Sequence, residues 1–122
     1  MSYASEEWHD KCRSYLQRNI GKHTIDHHII GANVSAVGQL TFYDSKTSMK
    51  KVISQPDIIV FDNIGRPVWL VEYKTGVNQR RKAEHQLRRD QQIVYSVWRE
   101  LPRMIYATGT PNSGYKLTEV IK

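Results

Sequence analysis

Residues 56 to 74 constrain the fold more than any other part of the chain. Pro56-Asp57-Ile58-Ile59-Val60-Phe61 and Val68-Trp69-Leu70-Val71-Glu72-Tyr73-Lys74 flank the turn-rich stretch Asp62-Asn63-Ile64-Gly65-Arg66-Pro67. Apolar, β-branched and aromatic runs on either side of turn residues predict a β-hairpin. With the turn centred between Ile64 and Gly65, the antiparallel register puts Asp57 directly across from Glu72. Residues two apart in a strand share a face, so Glu72 and Lys74 point one way while Trp69, Val71 and Tyr73 point the other.

Two carboxylates thus converge beside a lysine. Oxygen ligands on neighbouring strands suit a hard cation, Mg²⁺ or Mn²⁺, which leaves its remaining positions to water and phosphate. Such an ion would neutralise charge on a scissile phosphate and acidify a water, with Lys74 orienting that water or stabilising the developing charge. The alternative is an exposed hairpin with a cross-strand ion pair, worth less than about 1 kcal/mol. Against that alternative, residues 68 to 73 are almost wholly apolar, the pattern of a central strand, where terminal charges need a reason.

Around the hairpin, the periodicity predicts a helix over residues 5 to 20, with Trp8, Cys12, Tyr15, Leu16 and Ile20 inward and Gly21 as its stop. Residues 24 to 42 read as one or two strands broken by Gly31 and Gly38, and residues 44 to 51 as a surface turn. A second helix is expected over residues 83 to 100, with Ala83, Leu87, Ile93, Val94, Val97 and Trp98 inward and Pro102 ending it. Residues 104 to 107 and 115 to 121 read as strands around a glycine-rich turn. The order suits an α/β fold, a mixed β-sheet flanked by helices, in a single domain over residues 1 to 122.

Eighteen Lys and Arg against twelve Asp and Glu give a net charge of +6, which favours a polyanionic partner, nucleic acid first among them. Arg80, Arg81, Lys82, Arg88 and Arg89 concentrate positive charge after the Glu72 strand and are the expected phosphate contacts. Tyr3 and Tyr43 are candidates for base stacking. The single cysteine, Cys12, excludes an internal disulfide and fits a reducing, cytoplasmic setting. No apolar run approaches the roughly 20 residues a membrane helix needs, and MSYASEEWHD lacks the apolar core of a signal peptide. Asp26-His27-His28 reads as structural, because neighbouring strand residues face opposite ways. Residues 110 to 114 lack the spacing of a nucleotide-binding loop.

Gln55-Pro56-Asp57 followed by Glu72-Tyr73-Lys74 resembles the PD-(D/E)XK signature of the restriction-endonuclease-like nuclease superfamily, whose core is αβββαβ. The resemblance implies a Mg²⁺-dependent deoxyribonuclease in which Asp57 and Glu72 bind metal and Lys74 is catalytic. Family members add a metal-binding or positioning residue from the first helix, a histidine in RecB-like nucleases and a glutamate in archaeal Holliday-junction resolvases, which implies His9 as a third metal ligand here. His9 is the match by position, with Glu7 as the alternative. Gln91-Gln92-Ile93-Val94-Tyr95 is similar to the RecB-like QxxxY motif, which implies that Gln91 and Tyr95 face the active site and DNA. The resolvase alternative implies a homodimer. A DNA-binding module without cleavage is the alternative from another class, and the intact Asp57, Glu72 and Lys74 argue against it.

Overall fold

A computed structural model of the chain describes residues 3 to 25, 28 to 29, 33 to 44, 51 to 76 and 78 to 121. Its elements are α1 (Tyr3–Arg18), a 3-10 turn (Ile20–Lys22), β1 (Thr24–Ile25), β2 (His28–Ile29), β3 (Ser35–Gly38), β4 (Phe42–Asp44), β5 (Lys51–Ser54), β6 (Ile58–Phe61), β7 (Pro67–Tyr73), α2 (Arg80–Trp98), β8 (Arg103–Thr110) and β9 (Gly114–Val120). Asp26, His27 and Gly31 lie outside the described residues, as does most of the turn expected over residues 44 to 51.

The main sheet has five strands in the order β3-β6-β7-β8-β9. β3, β6 and β7 form an antiparallel meander, β8 is parallel to β7 through the α2 crossover, and β9 returns antiparallel. The chain is therefore mixed α/β, with one helix packed on each side of the sheet. Alternation along the strands builds two cores. Ile58, Val60, Val71, Tyr73, Ile105 and Ala107 pack against Cys12, Leu16 and Ile20 of the α1 segment. Ile59, Leu70, Met104 and Val120 pack against Leu87 and Val94 of α2. Because both faces are covered, β6 and β7 read as unbroken apolar runs rather than alternating ones.

The helices are rotated differently from the expected stripes. Trp8 and Tyr15, expected inward, are 45% and 40% exposed, and Val97 of α2 is also exposed. The apolar positions of α1 spread over more than a third of its circumference, and the sheet covers only the sector centred on Cys12 and Leu16. α2 begins at Arg80, a turn earlier than expected, and ends at Trp98, capped by Arg99, which adopts a left-handed φ of 60° three residues before Pro102.

β3–β4 and β5–β6 are the two arms of one long hairpin with a kink. Gly38 pairs with Ile58, the Gln39 N–H donates to the Asp57 carbonyl at 3.1 Å, and the pairing resumes at Phe42 and Ser54. Gln39 sits at a left-handed φ of 54°, which bends the ribbon there. The far end folds onto α2, where the Ser54 hydroxyl meets Asp90 and the Arg89 guanidinium meets the Ile53 carbonyl. Asp57 lies in the kink, where the regular ladder is interrupted.

Candidate active site

The β6–β7 pairing follows the expected register through Ile58–Val71, Ile59–Leu70 and Val60–Trp69, and shifts by one only at Phe61 and Pro67 beside the turn. The bulge lies at the end of the hairpin remote from the carboxylates, so it leaves their alignment intact. One step beyond Ile58, Asp57 falls opposite Glu72; a second step would set Pro56 against Tyr73. Proline has no N–H to offer, so the outward amide and carbonyl of Tyr73 must find other partners. The Tyr73 N–H donates to Asp57 Oδ2 at 2.8 Å. The Tyr73 carbonyl oxygen lies 3.0 Å from His9 Nε2. On the opposite side, the Lys74 N–H donates to the Ala107 carbonyl at 3.0 Å and holds the strand end against β8.

Glu72 and Lys74 share a face as expected, with Lys74 Nζ 3.3 Å from Glu72 Oε2, and both side chains are largely buried. Glu72 points toward α2 and is pushed up to about 8, chiefly by burial and then by the Asp57 charge, with Asp90 adding to it and Lys74 opposing. Burial likewise raises Asp57, against the Tyr73 N–H and the charges of His9, Lys74 and Arg13. Asp90 is raised by burial, against its hydrogen bond from Ser54. Three carboxyls therefore resist ionisation in one region, an arrangement that a cation would relieve.

Asp90 and Arg13 are the residues that motif reading missed. Asp90 is 5% exposed and lies in the middle of the buried stripe of α2, exactly one heptad after Ala83 and between Leu87 and Val94. An acidic residue at the centre of an apolar stripe is the signal that would have found it. Arg13 is equally buried. Its guanidinium is held by Asp10 at 2.9 Å and Gln17 at 2.8 Å, and Nη1 reaches to 3.5 Å from the Asp57 carbonyl. Gly38 makes room for this, since a Cβ there would lie 2.0 Å from Gln17 Oε1 and 2.3 Å from Arg13 Nη1. Two groups of α1, His9 and Arg13, thus meet the strand ends that carry the carboxylates.

Other candidates fall elsewhere. Glu7 is exposed, so His9 is the first-helix residue that the structure brings to Tyr73. Gln91 does not reach the carboxylates. It is buried, and its Nε2 donates to the Pro102 carbonyl at 2.8 Å. Pro102 precedes Arg103, which pairs with Trp69, three residues and about 10 Å along β7 from Glu72. Tyr95 lies a further turn away, exposed, with the Arg99 guanidinium 5.7 Å from its ring. The cause is the facing of α2: Asp90 is turned to the carboxyls, whereas Gln91, its neighbour in the same turn, is turned to the residue before β8.

Of the basic residues, Arg80 and Arg88 flank Glu84 at 2.8 and 3.6 Å, and Arg81 and Lys82 are exposed on the first turn of α2. Arg89 instead fastens β5 to the helix through the Ile53 carbonyl, a structural use. Tyr43 is exposed, whereas the side chain of Tyr3 lies outside the described residues.

Among the described residues, no three His, Cys, Asp or Glu side chains lie close enough to form a ready-made cage for an ion. Asp57, Glu72 and the neighbouring Tyr73 carbonyl are oxygen donors of the type that could hold Mg²⁺ with most of its shell left to water. Both carboxyls are raised by burial, and Glu72 also by the Asp57 charge, which fits that use. Among the described residues, no helix is long and apolar enough to cross a membrane. Comparison with known proteins finds no matching family model, no matching curated protein and no matching solved structure.

Proposed function

We propose that the chain is a divalent-metal-dependent nuclease that hydrolyses DNA phosphodiester bonds at Asp57, Glu72 and Lys74, on a restriction-endonuclease-like core. The observation that carries this reading is the pair of carboxyls, Glu72 buried and Asp57 partly so, both raised by burial and Glu72 further by the Asp57 charge, with a lysine held beside them. A helix, a three-strand antiparallel meander, a second helix and a strand parallel to the third supports the αβββαβ comparison. His9 beside the Tyr73 carbonyl favours the RecB-like branch.

In this reading Asp57 and Glu72 would hold Mg²⁺ or Mn²⁺, with His9 beside them at the Tyr73 carbonyl. A bound ion would supply charge neutralisation at the phosphate and an acidified water. Tyr73 N–H fixes the rotamer of Asp57, and Arg13 fixes its backbone. Lys74, restrained by Glu72, presents its ammonium group to the attacking water or to a phosphate oxygen. Arg81 and Lys82, with the excess charge of Arg80 and Arg88 over Glu84, supply phosphate contacts at the same end of the sheet.

The test is incubation of labelled single-stranded, duplex and four-way-junction DNA with and without Mg²⁺ or Mn²⁺. Metal-dependent cutting by the parent chain, lost in Asp57→Ala and Lys74→Ala while DNA binding persists, is the expected result. Binding without cutting of any substrate would reduce the chain to a DNA-binding module.

A further inference from the structure

Trp8 and Tyr15 have no place in the core, yet they do not stand at random on the surface. With Lys11 and Arg18 they occupy positions 8, 11, 15 and 18, which fall on one face of α1. Aromatic and cationic side chains alternate along that face. Tyr15 is held nearly parallel to Tyr115, ring centroids 6.3 Å apart, and Tyr115 is itself anchored by its hydroxyl to the Cys12 carbonyl at 2.6 Å.

Two shallow hollows border α1. One, of about 370 Å³, is lined by Trp8, Lys11, Tyr15 and Pro111 among others, and the second, of about 490 Å³, by Asn19, Gly21 and Lys22 among others. Arg18 lines both, but the second opens on the β3 side of the helix, where Gln17, Val34 and Ala36 line it, so the first hollow alone belongs to the aromatic face. Asp10 also borders the first hollow, but its carboxylate is engaged by Arg13 at 2.9 Å. Lys11 and Arg18 are the cations that line this hollow. His9 follows Trp8 in the chain, and its Nε2 lies 3.0 Å from the Tyr73 carbonyl.

We propose that this face of α1 is a binding surface for single-stranded nucleic acid, on which Trp8 and Tyr15 stack bases while Lys11 and Arg18 meet phosphates. Side-chain rings stack only on bases whose faces are open, which a duplex does not offer. The two rings are seven helical residues apart, about 10 Å, against a 3.4 Å rise between stacked bases. They suit separate bases of an extended strand. That the strand leads to the Asp57 and Glu72 end as substrate rests on the proposed hydrolysis; the binding surface does not.

The test measures anisotropy of a fluorescein-labelled oligothymidine of about twelve nucleotides in EDTA, where nothing is cut, with a duplex of equal length as comparison. Trp8→Ala and Tyr15→Ala should each weaken oligothymidine binding by about tenfold. Duplex affinity should hardly change, and melting curves should stay close to the parent's because both rings are exposed. Lys11→Gln combined with Arg18→Gln should lower the salt slope of log affinity by about 1.4. Unchanged affinity in both aromatic variants overturns the proposal, as does an equal loss on duplex. A dimer that Trp8→Ala converts to monomer in sedimentation overturns it too, since a second copy would then cover the face. Failure of the nuclease reading shows separately, as no metal-dependent cutting by the parent chain.

Discussion

Glu72 is expected to make the metal-free chain less stable as the pH rises, and Glu72→Gln should remove that sensitivity. Glu72 ordinarily titrates near 4.5 and is pushed up to about 8 by burial and by Asp57 and Asp90. Between those values the folded state carries a proton that the unfolded chain has released. Folding stability must then fall as the pH rises through that window. At about 1.4 kcal/mol per pH unit, the ceiling is roughly 5 kcal/mol. Asp57 and Asp90 are raised as well, so the three carboxyls share the effect, and about half the ceiling is the working figure for Glu72 alone. Glutamine keeps the shape, accepts a hydrogen bond from Lys74 and cannot ionise. Parent and variant should therefore melt together near pH 5 in EDTA. At pH 8 the variant should melt higher, by roughly 10 °C for a gap of 2 to 3 kcal/mol in a chain of this size. Mg²⁺ at pH 8 should raise the parent's melting temperature and leave the variant's almost unmoved. Melting curves that stay parallel from pH 5 to 8.5 in EDTA would refute the reasoning, because the Glu72 carboxyl would then feel the same environment folded and unfolded.

Gly38→Ala should cost about 1 to 2 kcal/mol in urea unfolding, through loss of the Arg13 and Gln17 hydrogen bonds that cross it. Its effect should be far from additive with Arg13→Met in a double-mutant cycle. Gly109→Ala should cost at least about 2 kcal/mol, since φ is +113° and the new Cβ would lie 2.1 Å from the Gly114 carbonyl. Gly65→Ala, at φ +85° with open space around it, should cost only about 1 kcal/mol. Comparing urea midpoints tests that ranking. Gln91→Ala should destabilise by about 1 to 3 kcal/mol, because the Pro102 carbonyl loses its donor. Cleavage by the folded variant should stay within threefold of the parent, and a much larger loss would return Gln91 to the active site.

The register of Asp57, Glu72 and Lys74 was legible in the sequence because it depends only on local rules. Strand side chains alternate with a period of two, and a hairpin turn sets which residues face each other. Even the bulge near Pro67 did not disturb it, since the error stayed on the turn side. The helix faces were another matter. Trp8, Tyr15, Gln91 and Tyr95 all sit on plausible apolar or motif positions, and their fates depended on how each helix rotates on the sheet. Those choices are made by packing against strands far away in the chain. Asp90 and Arg13 became part of the site's surroundings for the same reason, as did the kink at Gln39 that turns the β4–β5 end of the hairpin onto α2. Backbone periodicity decides what a strand offers locally; only the tertiary contacts decide which helical side chains meet it.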